Sequence, residues 1–318
     1  MNQPPLKPSF QWVTGLDAVP DRKPTCLAIG VFDGVHRGHQ QLLARVSEAA
    51  RAIGARSAAM TFDPHPRSVI PGQTAPEYLS TLMERVDLIG EQGIDLVIVQ
   101  EFTAELRQTS ADDFVDNLCA SLDLKQLWGA KFGLGYKRQG DFAYLSNLGK
   151  TSGFTVHRYE NFLEWKGQPI SSSLIRHAVR EGRIEDASSL LGRSYRIRGE
   201  VIHGDGRGAL LGIPTANLSV WEKQAMPMSG VYGVNVWIDE KRFPGAANVG
   251  FRPTVNGHGL VVEAHLIGFQ GDLYGQEVAL DFEFRVRDEK KFPDLDALVA
   301  QIKADIEFVT DQLEAPPQ

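Results

Sequence analysis

The sequence predicts an α/β chain in two parts: a parallel sheet flanked by helices, then an antiparallel β region with a closing helix. Three observations carry this expectation. The first half alternates short apolar runs with amphipathic helical stretches, the second half changes to strict alternation of apolar and polar residues, and a length of 318 residues fits two domains of ~150 residues each.

Within the first half, Leu27-Ala-Ile-Gly-Val-Phe32 reads as a strand buried on both faces, because a continuous apolar run leaves no polar side for water. Leu42, Leu43, Val46, Ala49, Ala50 and Ile53 then recur at helical spacing, with Gly54 as a stop signal. Ser57-Ala-Ala-Met-Thr-Phe62 is the second strand. Thr81 and Glu84 have the spacing of a capping box and start a helix with Leu82, Val86 and Ile89 on one stripe. Gly93 ends it, and Asp95-Leu-Val-Ile-Val99 is the next strand. Ser110 starts a helix carrying Phe114, Val115, Leu118 and Leu122, ahead of a strand near Leu127-Trp128. Such β-α-β-α order implies parallel strands joined by crossover helices on both faces. In the second half Tyr232, Val234, Val236 and Ile238 alternate up to a polar Asp239-Glu240 turn. Val278, Leu280, Phe282, Phe284 and Val286 alternate with Asp281, Glu283 and Arg285, the pattern of antiparallel strands with one buried face. Leu298, Val299, Ile302, Ile306 and Val309 form the apolar stripe of a helix beginning near Leu295. The change of period places the domain boundary at 186/187, dividing the chain into residues 1–186 and 187–318.

Bulk properties exclude several classes. With 42% hydrophobic and 23% charged residues the chain is able to bury real cores. A net charge of −7 without a basic tail or long Lys/Arg run points away from a nucleic-acid surface, leaving only a local patch as the alternative. Cys26 and Cys119 are too few for a disulfide scaffold and lack metal-ligand spacing, so buried, reduced thiols are expected. The N-terminal stretch, which holds Pro4, Pro5, Pro8, Pro20 and Pro24, has no signal-peptide pattern. No apolar run approaches the ~18 residues of a membrane helix. A cytoplasmic, unanchored protein is the expectation; the oligomeric state is not readable.

Two segments have the chemistry of phosphate sites. Gly30-Val-Phe-Asp-Gly-Val-His-Arg-Gly-His39 lies between the first strand and the first helix, at the strand's carboxyl end where open parallel sheets bind ligands. The helix N-terminus offers backbone N–H groups and a positive dipole end, and Gly34 and Gly38 lack Cβ atoms that would keep a phosphate away. His36 and His39, three apart, share one face of the first turn. The alternatives are two surface histidines or a metal pair, which would need further ligands. The second segment is Gly204-Asp-Gly-Arg-Gly-Ala-Leu-Leu-Gly-Ile-Pro-Thr-Ala-Asn217. Here Gly204, Gly206, Gly208 and Gly212 leave N–H groups to wrap phosphates. Pro214 stiffens the exit, and Thr215 and Asn217 supply neutral oxygens suited to Mg²⁺. An ordinary glycine-rich connection is the alternative. Gly149-Lys-Thr151 mimics the end of a P-loop, but Tyr144 occupies its required first glycine position.

Gly30-x-Phe-Asp-Gly-x-His36-x-Gly-His39 resembles the signature of HxGH nucleotidyltransferases, specifically the adenylyltransferase half of bacterial bifunctional riboflavin kinase/FAD synthetases. Phe62-Asp-Pro-His-Pro66 matches that half, as does Ile170-Ser-Ser-Ser-Leu-Ile-Arg176 with Ser173 in place of the usual Thr. Gly212-Ile-Pro-Thr-Ala-Asn217 resembles the riboflavin kinase signature, with Ile213 where Phe is usual. Gly230-Val-Tyr, Asn248-Val-Gly-Phe-Arg-Pro-Thr254, Glu263-Ala-His and Arg287-Asp-Glu-Lys-Lys-Phe292 extend the match in order along nearly the whole chain.

The resemblance implies a Rossmann-like nucleotidyltransferase domain followed by an antiparallel β-barrel kinase domain. Riboflavin would be phosphorylated by ATP to FMN, and FMN adenylylated by a second ATP to FAD with release of pyrophosphate. It places His36 and His39 on ATP phosphates with Gly30, Phe32 and Gly34, closed over by Ser172, Ser173 and Arg176. Gly206, Gly208, Gly212 and Thr215 would hold the kinase ATP, with Thr215 and Asn217 on Mg²⁺. Phe62, Pro64, Asn248 and Arg287 would contact flavin, Arg287 having a surface role as its alternative. A ribityl hydroxyl needs a base, and Glu263 fits that role: alternation puts Val261, Glu263, His265 and Ile267 on one face, where a carboxylate needs water or a partner. One departure stands out. Lys131 and Leu134 in Gly129-Ala-Lys-Phe-Gly-Leu-Gly135 replace an acidic or amide residue and an aromatic one, so Lys131 exchanges an acceptor for a donor and weaker FMN binding is expected. The competing readings are a monofunctional riboflavin kinase with an impaired first domain, and a flavin-sensing protein without turnover. Glu263 and Thr215 argue against the latter, because binding alone needs no base.

Overall fold

The computed structural model describes residues 10–160, 163–204, 208, 211–254 and 257–314. By internal packing they form two compact units, residues 1–76 with 81–171, and residues 77–80 with 172–318.

The first unit runs β1 (Gln11–Thr14), β2 (Thr25–Ile29), α1 (Arg37–Ala52), β3 (Arg56–Asp63), α2 (Leu82–Gly90), β4 (Leu96–Glu101), α3 (Ala104–Gln108), α4 (Ala111–Leu122), β5 (Leu124–Gly129), α5 (Phe142–Ser152) and β6 (Thr155–Arg158), followed by a small hairpin of β7 (Glu164–Trp165) and β8 (Gln168–Pro169). The six strands pair in parallel in the order β1-β4-β3-β2-β5-β6. Side chains of β2 alternate between two cores, as a strand covered on both faces requires. Cys26 and Ala28 pack with Leu43 and Val46 of α1 and with Val86 and Ile89 of α2. Leu27 packs with Phe114, Val115 and Leu118 of α4 on the opposite face. Thr81 and Glu84 close the expected capping box reciprocally, at 3.3 and 2.9 Å, and Ser110 caps α4. Burial pushes the Cys26 thiol up to about 11; Cys119 is half-buried and its thiol is also raised by burial.

The apolar run expected to form a strand through Phe32 stops pairing at Ile29. Phe32 takes φ 52° and turns the chain, so its ring lies in the core while its backbone leaves the sheet. The edge strand β1 falls in the proline-bearing N-terminal stretch, where no periodicity announced it.

The second unit contains α6 (Ser172–Arg180), α7 (Ile184–Leu191), β9 (Tyr195–Ile202), β10 (Ala216–Val220), β11 (Gly230–Ile238), β12 (Lys241–Thr254), β13 (Gly257–Leu266), β14 (Glu277–Arg287) and α8 (Leu295–Glu314). Its strands form a closed antiparallel barrel in the order β10-β13-β12-β11-β14-β9, and β9 pairs back onto β10. Val262, Ala264 and Leu266 of β13 point into the barrel, leaving Glu263 and His265 on its outer side. Among the described residues no helix is long and apolar enough to cross a membrane.

By packing, the units part at Ser171/Ser172, ahead of the change in sequence period. The reason is that α6 packs on α7 and α7 on β14 and β9, burying Ile175, Val179, Ile184, Leu190 and Leu191. A fragment beginning at Ala187 cuts α7 and loses the first three of these. At ~1.5–3 kcal/mol for each large apolar side chain fully buried, it should be measurably less stable than one beginning at Ser172. Urea midpoints of the two fragments check this; equal midpoints would mean that α6 and α7 contribute nothing to the barrel.

Candidate active sites

In the first unit the strand order reverses between β2 and β5, the switch point where loops diverge and leave a crevice at the carboxyl ends of the strands. The loop from Gly30 to His36 leaves β2 at that point. Its course depends on left-handed backbone at Phe32 (φ 52°), Gly34 (φ 74°) and Val35 (φ 35°). Left-handed backbone at an aromatic and a β-branched residue is costly and is held only by surrounding structure. Here that structure is packing: Phe32 and Val35 are fully buried. A Cβ on Gly30 would meet the Phe32 ring at 3.0 Å. Phe32 therefore shapes the loop from within the core.

His36 is the N-cap of α1, its Nδ1 accepting the His39 backbone N–H at 3.3 Å. The two imidazoles stack with centroids 3.7 Å apart and 17° between planes, and a Cβ on Gly38 would press on the His36 ring at 3.3 Å. With Nδ1 accepting, a neutral His36 carries its proton on Nε2. Burial first, and the neighbouring His36 second, hold the His39 imidazole well below its usual 6.5. The buried His39 Nδ1 has no hydrogen-bond partner among the described residues. Stacked on His36 at a helix N-terminus, a neutral His39 imidazole can present an N–H donor to an anion.

Phe62, the next-to-last residue of β3, is buried, whereas Pro64 is exposed. Lys131, just beyond β5, is exposed. Ser172, Ser173 and Arg176 lie on α6 and group with the second unit, Arg176 being 8% exposed.

The second unit holds a cavity of about 430 Å³ on the outer side of the barrel, between strands and α8. It gathers Gly208, Thr215, Asn248, Glu263 and Arg287, residues widely separated in the chain. Register brings the polar groups together: Glu263 of β13 is directly opposite Asn217 of β10 on one side and Asn248 of β12 on the other. Directly opposed residues share a face, so a carboxylate and two amides form one row. Gly208 is required by close approach, since a Cβ there would meet the Ile213 carbonyl at 2.5 Å and the Thr215 hydroxyl at 3.2 Å. Gly212 has φ 73°. Gly206 lies outside the described residues.

Other walls were not foreseen. His265 Nδ1 lies 2.8 Å from the Pro214 carbonyl and steadies the run that ends in Thr215. Leu298, Ile302 and Ile306 of α8 remain half-buried because they face the cavity rather than a packed core. Asp305, 4% exposed, receives Arg287 Nε at 2.9–3.0 Å and Nη2 at 2.6 Å, and Gln301 at 2.8 Å. The expected flavin contact Arg287 is thus at the cavity, with its guanidinium fastened to α8. Asp305 was detectable only as a polar residue beside an apolar stripe.

A parallel-sheet unit with a crevice at its switch point and a small barrel unit with a cavity on its outer side are the architecture of a two-unit transferase, and the family models agree. Residues 19–174 match the family model described as FAD synthetase, and residues 191–313 that described as riboflavin kinase. The bifunctional riboflavin kinase/FMN adenylyltransferase of Pseudomonas fluorescens is 40% identical over 301 residues, covering 93% of this chain and 96% of that protein. The Escherichia coli (strain K12) enzyme of the same description is 38% identical, covering 88% and 90%. A Streptococcus pneumoniae crystal structure described as a macrolide-efflux protein matches with a TM-score of 0.86 and 28% identity, covering 94% of this chain and 99% of that one. The chain belongs to the bifunctional riboflavin kinase/FMN adenylyltransferase family. The match over the first unit disfavours a kinase that works alone.

His39 also sets a pH dependence. Its pKa is lower folded than unfolded, so the unfolded chain binds the proton better, and stability present above pH 6.5 is lost as pH falls below it. Denaturant midpoints should fall between about pH 8 and about pH 5, and His39→Gln should flatten that slope. An unchanged slope would mean that folding does not hold this imidazole neutral.

Proposed function

We propose that the chain makes FAD in two ATP-dependent steps, phosphorylating riboflavin in the second unit and adenylylating FMN in the first, in the cytoplasm. The observation that carries this reading is that Glu263 and Asn248 line one cavity with Thr215 and Gly208, with Asn217 opposite Glu263 on the neighbouring strand.

In the kinase step the ribityl hydroxyl oxygen attacks the γ-phosphorus of ATP, a new O–P bond forms, and ADP leaves. An alcohol is a weak nucleophile, so a carboxylate positioned to take its proton accelerates the step. Glu263 is the carboxylate in the row, and the flanking amides of Asn217 and Asn248 orient it and the hydroxyl. The half-buried Leu298, Ile302 and Ile306 suit the flat apolar ring of a flavin, while Arg287 borders its polar edge. The residues also fit Mg²⁺: a Cβ on Gly204 would meet the Asn217 side chain at 2.3 Å, and one on Gly208 would meet the Thr215 hydroxyl at 3.2 Å. Glycine backbone packs close against both side chains, and their neutral oxygens, with phosphate oxygens and water, would complete a Mg²⁺ shell without a carboxylate cage. Bound there, the cation would neutralise phosphate charge.

In the adenylyl step a phosphate oxygen of FMN attacks the α-phosphorus of the second ATP, and the α–β P–O bond breaks to release pyrophosphate. That oxygen is already an anion at neutral pH, so no base is required. The need is for donors where charge accumulates, which His36, His39 and the N-terminus of α1 supply. Phe62 and Pro64 serve the flavin in the same step.

Incubation with riboflavin, ATP and Mg²⁺, with products separated by chromatography, tests the reading. Glu263→Gln should abolish FMN formation from riboflavin yet leave FAD formation from supplied FMN near wild type; parallel loss of both in folded protein would remove the base assignment. His36→Ala or His39→Ala should do the reverse, lowering FAD synthesis by roughly 10²-fold with the kinase intact. FAD output within twofold of wild type would make the histidines structural. Lys131→Asn should tighten FMN binding by the first unit, and unchanged affinity would make the lysine neutral.

A further inference from the structure

The largest fully buried side chain among the described residues is a charged one. Arg85 of α2 is 0% exposed. Its Nη1 donates to the Val31 carbonyl at 3.2 Å, the Thr61 hydroxyl oxygen at 3.1 Å and the Phe62 carbonyl at 3.0 Å. Nη2 lies 3.8 Å from the Asp63 carboxylate, and the Thr61 hydroxyl itself donates to the Val31 carbonyl at 2.8 Å. A guanidinium taken from water is costly, and an apolar side chain of similar volume would fill the same space at less cost. What an apolar side chain cannot do is bond two backbone segments at once.

Those segments are the two that leave the sheet beside each other. The β2–β3 ladder ends at Ile29 and Met60, with a last bond from the Gly30 N–H to the Met60 carbonyl at 3.1 Å. Beyond it the chains diverge, one into the left-handed turn at Phe32 that leads to His36, the other into Asp63 and Pro64. Arg85 and Thr61 take up the bonding where the ladder stops.

We propose that Arg85 is a positioning residue for adenylyl transfer, a clasp that fixes the phosphate loop against the end of β3 so that the donors on the one and the flavin contacts on the other stay in register. The assignment rests on reading the first unit as the adenylyl-transfer site. Arg85 touches neither substrate; it acts through the Val31 and Phe62 carbonyls. Because small misplacements of reacting groups cost about 10²-fold in rate, the effect falls on kcat more than on substrate binding.

The test uses the full chain, with riboflavin phosphorylation in the same preparation as an internal control. Arg85→Met should lower kcat for FAD synthesis from FMN and ATP by about 10²-fold while KM for both substrates changes less than about threefold. Arg85→Lys, which keeps the charge and some of the donors, should recover part of the loss. Thr61→Val, a near-isosteric change that removes the bridging hydroxyl, should lower kcat by a smaller factor. Adenylylation within twofold of wild type in folded Arg85→Met, or no recovery in Arg85→Lys, overturns the proposal. If Arg85→Met does not fold, Thr61→Val decides, and an unchanged kcat there overturns it equally. A wild-type chain that makes no FAD would instead refute the reading of the first unit, so the two failures are distinct.

Discussion

A folded chain must pair nearly all of its buried backbone N–H and C=O groups, and that requirement decides where each unit has room for a ligand. In the parallel sheet the ladders end together at the carboxyl edge, and crossover helices begin there with N–H groups still to be met. The reversal of strand order between β2 and β5 widens that edge into a crevice. In the barrel there is no such edge, because β9 closes onto β10. Its interior is filled by Val262, Ala264, Leu280 and Phe282, so the second site lies on the outer side and needs α8 to complete it.

The two locations suit different chemistry. A helix N-terminus with two stacked imidazoles supplies donors and little else, which is sufficient when the nucleophile already carries negative charge. The outer barrel face supplies a carboxylate held in register between two amides, which an uncharged hydroxyl needs. Backbone conformation follows the same division. The sheet site depends on left-handed residues pinned by core packing, at Phe32 and Val35. The barrel site depends on glycines where a neighbour comes too close for a Cβ, the Asn217 side chain at Gly204 and the Ile213 carbonyl at Gly208.

Helix α8 shows how a wall can be both structural and functional. Its stripe is apolar enough to dock on the barrel, yet Leu298, Ile302 and Ile306 stay half-buried because a cavity lies beneath them. The pair of half-buried Arg287 and buried Asp305 anchors the helix at the cavity margin. A bidentate pair of this kind fixes direction as well as distance, which an apolar contact does not.

The sequence by itself determined the local structure and the chemical inventory. Hydrophobic period distinguished doubly covered strands such as β2 from half-covered ones such as β14, because periods of 2.0 and 3.6 are properties of the backbone. Capping residues announced α2 and α4, and the glycine- and histidine-bearing turns marked the segments whose chemistry suits phosphate. Tertiary structure alone decided what depends on residues distant in the chain. The strand that seemed to run through Phe32 ended at Ile29 because core packing could hold an unfavourable φ. The helices α6 and α7 went with the barrel because their apolar faces pack there, which period cannot reveal. Arg85 and Asp305 read as ordinary polar positions on helices, since nothing within one turn tells whether a charge meets water or a buried partner. Burial and long-range pairing are sums over the whole chain, and only the folded chain performs them.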